Sequence, residues 1–128
     1  MQFLRVTTTE RVHDDSTLEA RKAKSKKMRE THTEFIPVYA TLLGDTSKIY
    51  RFLINKSNRL TALQVTFRKK VNVSPTEGLF VMIERLDETG KVSTVMGNSN
   101  DFIGNVHERY GHSDGFLYLH FAKENVFG

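Results

Sequence analysis

The residue with the clearest chemical potential in this sequence is its last, Gly128. A glycine carboxylate has no Cβ beside the reacting carbon, so it tolerates conformations and close approaches that other residues block. Such an end suits a carboxylate threaded into another enzyme's narrow active site. It follows an apolar run, Gly115-Phe116-Leu117-Tyr118-Leu119-His120-Phe121, and a polar stretch, Ala122-Lys123-Glu124-Asn125-Val126-Phe127. That stretch has no helical or strand periodicity. The last five residues span roughly 16 to 18 Å when extended, at about 3.3 to 3.6 Å per residue, enough to reach away from a folded body.

Other reactive groups are scarce. The chain has no cysteine, which removes disulfides, thiolate metal sites and any thiol nucleophile. In a thioester exchange it would therefore supply the acyl group. Histidines stand at 13, 32, 107, 112 and 120 without HExxH spacing or paired carboxylates, so no metal is expected. Ser113-Asp114-Gly115 and Ser74-Pro75-Thr76-Glu77 read as turns, not as a nucleophile with its base. Glycine is too dispersed for a phosphate-cradling loop. With no catalytic constellation, the expectation is a chain that is not an enzyme and carries no cofactor.

The scaffold that must present Gly128 is legible in outline. A chain of 128 residues fits one domain with a single core, and no apolar run approaches the ~18 residues of a membrane span. The apolar patch at Phe3, Leu4 and Val6 is too short for a secretory leader, so a cytoplasmic protein is expected. The net charge of +4 is uneven, because Arg21, Lys22, Lys24, Lys26, Lys27 and Arg29 fall within nine residues. A run of this kind is a solvated face or a patch for acidic proteins, anionic lipid or nucleic acid. Nucleic acid is disfavoured, since no aromatic stacking series interleaves with these residues.

Residues 1–15 read as a polar arm. Ser16 and Glu19 have capping-box spacing, which predicts a helix to about Glu30. Its thin apolar stripe, Leu18, Ala23 and Met28, suits surface docking better than core packing. Two β-rich runs follow, from Phe35 to Leu43 and from Ile49 to Ile54, close enough for an antiparallel hairpin. Pro37, lacking an N–H, should face an edge or a bulge. Ser57 or Asn58 then caps a helix over residues 59–71, with Leu60, Leu63, Phe67 and Val71 on its core face. Strands are predicted over 78–83 and 91–95. Ser99 caps a final helix with Phe102, Ile103, Val106 and Tyr110 inward, and the last strand covers 116–121. The order β, β, α, β, β, α, β behind a helical arm gives an α+β fold, a β-grasp sheet with an N-terminal helical extension. Residues 1–33 form the arm and basic extension, 34–122 the core and 123–128 the tail.

Particular residues carry a resemblance. Lys26-Lys27-Met28-Arg29, then Phe35-Ile36-Pro37-Val38, Arg68-Lys69-Lys70-Val71, Asp114-Gly115-Phe116-Leu117-Tyr118 and Val126-Phe127-Gly128 resemble, in order, the autophagy modifiers of the light-chain-three and GABA-receptor-associated-protein family. The similarity runs over roughly residues 18–128. It implies a ubiquitin-like core whose terminal glycine, often exposed by a processing and deconjugating cysteine protease, is adenylated. Cysteines of activating and conjugating enzymes then carry it, and it passes to the amine of phosphatidylethanolamine on autophagosomal membranes. Gly128 matches the conjugated glycine and Phe127 the aromatic residue before it.

The resemblance also implies capture of W/F/Y-x-x-L/I/V receptor peptides as an added strand beside the 49–54 run. By position, Lys24, Met28, Pro37, Arg51, Leu53 and Phe116 line the pocket for the aromatic anchor. Phe52, Ile54, Leu60, Leu63 and Thr66 line the one for the aliphatic anchor, and Lys70 meets the acidic flank. Asn55 and Asn58 replace the family's usual proline and leucine, which makes the aliphatic side more polar. Glu34-Phe35 stands where an acidic-arginine pair is usual. The basic helix could also meet tubulin. Alternatives are a sister modifier joined to a protein lysine, whose relatives tend to end in tryptophan-glycine, and an unconjugated β-grasp adaptor.

Overall fold

The computed structural model describes residues 4–9, 17–74 and 76–124. Its elements are β1 (Leu4–Thr9), α1 (Leu18–Thr31), β2 (Phe35–Leu42), β3 (Asp45–Asn55), α2 (Leu60–Lys70), β4 (Leu79–Leu86), β5 (Val92–Met96), α3 (Ile103–Tyr110) and β6 (Leu117–Lys123). The strands form one sheet in the order β1-β3-β2-β6-β4-β5. Parallel pairing of β2 with β6 forms its centre, and every other neighbour is antiparallel. This is the ubiquitin-like α+β arrangement that the element order predicts. β1 was not expected: it turns part of the polar arm into a sixth strand.

Helices cover both faces of the central strands, so β2 and β6 are buried almost continuously, as strands between two layers are. β4 alternates and β5 is mostly exposed, because only one face is covered there. The main core lies between the sheet and α2 with α3. Ile36, Val38, Phe52, Ile54, Leu117, Leu119 and Phe121 of the sheet meet Leu60, Leu63 and Phe67 of α2 and Ile103 and Val106 of α3. Phe67 stacks on Phe121 with ring centroids 4.1 Å apart. Fully burying a side chain of this size contributes about 1.5–3 kcal/mol, so these residues dominate the stability of the fold.

The predicted helices form, but their caps differ. Thr17, not Ser16, caps α1, its hydroxyl accepting from the Ala20 N–H at 3.1 Å; Ser16 lies outside the described residues. Neither Ser57 nor Asn58 caps α2, and Ser99 does not cap α3; neither helix has a side-chain cap bond. Main-chain carbonyls take that place, reciprocally. The Leu60 and Thr61 N–H groups donate to Asp101 and Ser99 oxygens at 2.9 and 3.0 Å, and those of Ile103 and Gly104 donate to Asn58 and Lys56 oxygens at 2.8 and 3.0 Å. With these donors satisfied, a hydroxyl cap is unnecessary. Ser99 Oγ donates instead to Gln64 Oε1 at 2.7 Å. The approach needs glycine at 104, where a Cβ would lie 3.2 Å from the Lys56 oxygen.

One side chain also differs from expectation. Phe102 faces solvent, 40 % exposed, with the Arg59 guanidinium 4.8 Å from its ring centre, because it precedes α3 instead of joining its inward face. Val71, just past the end of α2, is partly buried and packs against the core, in keeping with its place on the core face of that helix. Pro37 sits in an interior strand, opposite Leu53 of β3, and precedes the parallel register with β6, which starts at Val38 opposite Leu117.

Candidate functional site

Side chains alternate between the faces of a strand, so β3 presents two different surfaces. Phe52 and Ile54 point into the main core with Leu60 and Leu63 of α2, and all four are at most 2 % exposed. Arg51 and Leu53 point to the opposite face, beneath α1. Leu53 stands across from Pro37 and Arg51 across from Tyr39, and Tyr39 stands beside Tyr118 of β6. Phe116 stacks on Tyr39, centroids 4.5 Å apart, and Tyr39 lies 5.4 Å from the Tyr118 ring. The residues expected around an aromatic anchor and those expected around an aliphatic one thus occupy opposite faces of the same strand.

The two sets differ in accessibility. Leu53, Pro37 and Phe116 are buried, Met28 and Arg51 are partly exposed, and Lys24 is exposed on α1. Arg51 Nε is buried and makes no hydrogen bond to any described residue. Thr66 is partly exposed, its hydroxyl donating to the Ala62 carbonyl at 3.1 Å, and Lys70 is exposed at the end of α2. Asn55 and Asn58, the departures at the aliphatic side, build the turn between β3 and α2. Asn55 Oδ1 accepts from the Ser57 N–H at 2.8 Å, and the Asn58 carbonyl caps α3.

Sequence reasoning missed what holds α1 over this face. Ser25 is fully buried and donates to the Asp114 carbonyl. The Asp114 carboxylate is 2 % exposed and accepts from Arg21 Nε at 3.0 Å, Tyr118 Oη at 2.5 Å and the Phe116 N–H at 2.9 Å. The turn identified as Ser113-Asp114-Gly115 is therefore the anchor of the helix. Burial, then the hydrogen bond to Asp114, holds the Tyr118 hydroxyl well above the usual tyrosine range. Burial raises that of Tyr39 too, against the opposing pull of Arg51.

Two histidines share one carboxylate. Glu84 bridges His120, at 2.9 Å, and His112, at 3.3 Å, while His120 Nδ1 meets Thr41 Oγ1 at 2.6 Å. His107 Nε2 lies 2.8 Å from the Gly115 carbonyl. No three metal-ligating side chains gather among the described residues. No helix among them is long and apolar enough to cross a membrane.

Two further features bear on the surface. β1 pairs with β3 from Leu4 opposite Ile54 to Thr9 opposite Ile49, along the side of β3 not taken by β2. At the other end of the chain, β6 stops at Lys123, and the Glu124 N–H donates to the Gly78 carbonyl at 2.9 Å. Phe127 and Gly128, the expected conjugation residues, lie outside the described residues.

Comparison with known proteins agrees with this fold. The family model described as "Autophagy protein Atg8 ubiquitin like" matches residues 20–128. Autophagy-related protein 8 of Schizosaccharomyces pombe is 26 % identical over 120 residues, covering 90 % of this chain and 91 % of that one. Autophagy-related protein 8 of Neurospora crassa is 24 % identical over 119 residues, with 90 % and 91 % covered. The crystal structure of Trypanosoma brucei ATG8 has the same fold, with a TM-score of 0.69 at 21 % identity, covering 86 % of this chain and 90 % of that one.

Proposed function

Because the chain belongs to the Atg8 family of ubiquitin-like autophagy proteins, we propose that it is a modifier joined through Gly128 to phosphatidylethanolamine and that it recruits receptors carrying W/F/Y-x-x-L/I/V peptides. The observation that carries the receptor half is the two-faced β3. In an added strand, residues i and i+3 point to opposite faces. An aromatic anchor then meets the side of Arg51, Leu53 and Pro37, and an aliphatic anchor meets the side of Phe52, Ile54, Leu60 and Leu63. The partly exposed Arg51 side chain stands beside the first, and Lys70 offers an exposed cation for an acidic flank.

The lipid half rests on family membership and on the family match reaching Gly128. The chain's own contribution would be a glycine at 128, whose lack of a Cβ leaves its carboxyl open to close approach. Activating and conjugating enzymes with catalytic cysteines would carry the acyl group, and a cysteine protease would expose or release it. Phosphatidylethanolamine brings two acyl chains, enough for stable anchoring of a protein that begins in the cytoplasm and ends on the autophagosome. Exposed lysines of α1 add attraction to anionic headgroups.

The test is the mass of the peptide covering residues 124–128, released by cleavage after Lys123 from protein of starved cells. Phosphatidylethanolamine on Gly128 is the expected adduct. An isopeptide to a lysine-containing peptide, or only the free carboxylate while autophagy is active, rejects the lipid reading.

A further inference from the structure

Strand addition to β3 meets an obstacle in this chain. A strand has two hydrogen-bonding sides, and those of β3 are taken by β2 and β1. β2 belongs to the central sheet and cannot leave without unfolding it. We propose that β1 is a built-in competitor for the docking edge: an intramolecular strand that a receptor peptide must displace, so that residues 4–9 set the apparent affinity of the site. The proposal rests on the receptor reading above.

Three observations support it. The register covers Ile49 to Ile54 of β3, the stretch holding Arg51, Phe52, Leu53 and Ile54. A bound peptide and β1 would therefore compete for the same main-chain groups. The segment is also suited to come and go. It is an edge strand of six residues, whose sequence Leu4-Arg5-Val6-Thr7-Thr8-Thr9 has strong β propensity but only two aliphatic side chains. Residues 10–17 tether it to α1, and a short tether gives an effective concentration on the order of millimolar, enough to compete with free peptide without excluding it. Third, Phe3-Leu4-Arg5-Val6 itself has the aromatic-x-x-aliphatic spacing of the peptides it would oppose. Phe3 lies outside the described residues, so this is a property of the sequence.

Occupancy translates directly into affinity: the apparent Kd is the intrinsic value divided by the fraction of molecules with the edge open. Binding of a receptor peptide should release residues 4–9, and a partner that captures that segment should open the site.

The experiment titrates a fluorescein-labelled peptide, an acidic flank followed by a Trp-x-x-Leu core, into three proteins: the full chain, the chain lacking residues 1–9, and a Val6→Pro/Thr7→Pro chain. Adjacent prolines remove an N–H facing β3 whichever residue donates it. If β1 holds the edge nine-tenths of the time, Kd falls about tenfold in both variants. Hydrogen exchange of the β3 amides facing β1 should rise in the same two proteins without peptide. Equal affinity in all three overturns the competitor and leaves the receptor reading standing. A gain in affinity with unchanged β3 exchange also overturns it, since the gain then arises elsewhere. Absence of binding in all three overturns the receptor reading and the competitor with it.

Discussion

Asp114 and Arg21 meet at 3.0 Å, with side chains 2 % and 19 % exposed, so a nearly buried ion pair fastens α1 to the turn before β6. The carboxylate also accepts from Tyr118 and from the Phe116 main chain, which leaves little of its desolvation uncompensated. Lys24 and Met28 owe their place on a helix docked against β2 to this fastening, because α1 has too few apolar side chains to dock on its own.

Removing the carboxylate should therefore loosen the helix. Asp114→Ala removes the buried carboxylate that accepts from Arg21 Nε and Tyr118 Oη, at a cost of about 3–5 kcal/mol. The urea midpoint should fall sharply, and Asp114→Asn should lie between the two. A midpoint unchanged from wild type would reject the anchor.

Gly115 has φ +91°, and a Cβ there would collide with Ser25 Oγ and come within 2.9 Å of Arg29 Nη2. Gly115→Ala should cost about 1–3 kcal/mol from backbone strain alone, with steric displacement of α1 in addition. Adding Ser25→Ala removes the nearest obstacle, so the double variant should recover part of the loss. Strict additivity in that double-mutant cycle would show that the two residues do not meet.

Tyr118 makes stability depend on pH at the alkaline end. Its hydroxyl ionises at higher pH in the folded chain than in the unfolded chain, so its contribution is complete below the unfolded value of about 10 and is lost as pH rises beyond it. Unfolding measured from pH 8 to 11 should show a decline that is shallower in Tyr118→Phe. At neutral pH that variant should be less stable by about 1.5–3 kcal/mol, the worth of a hydrogen bond to a charged group. Identical slopes would assign the decline to other groups.

Arg51→Ala tests the aromatic side of the docking surface in the chain lacking residues 1–9. The side chain is partly exposed, so the fold should survive. Affinity for the Trp-x-x-Leu peptide should drop about fivefold to thirtyfold, or about 1–2 kcal/mol. Leu53→Ala should weaken binding as well, but Leu53 is 3 % exposed, so its effect includes a cavity. Unchanged affinity in Arg51→Ala would remove Arg51 from the site.

Gly128→Ala should abolish the lipid adduct and leave the protein diffuse in starved cells, while its urea midpoint stays at the wild-type value. Puncta as abundant as wild type would count against conjugation at this residue.

Strands and helices with a strong period were legible in the sequence: Leu60, Leu63 and Phe67 mark α2 unambiguously, and the apolar run of β6 needed no further clue. β1 was not, because Thr7-Thr8-Thr9 reads equally as polar coil until β3 offers it an edge. The helix starts were misread for a related reason. Hydroxyl caps leave a trace in the sequence, whereas the carbonyls of Lys56, Asn58, Ser99 and Asp101 do the same work with any side chain attached. Alternation made legible which of the proposed pocket residues share a face of β3, but Asp114 was not legible, since nothing local distinguishes a turn aspartate at the surface from one enclosed by Arg21 and Tyr118.

The exchange of main-chain carbonyls between the starts of α2 and α3 has a consequence for divergence. A junction written in backbone atoms is nearly blind to which amino acids supply them, glycine at 104 being an exception on steric grounds. Drift at Ser57, Arg59, Asn100 and Phe102 can then proceed with little effect on how the two helices are seated. This gives a physical route by which the chain keeps the architecture of a relative with which it shares 21 % identity.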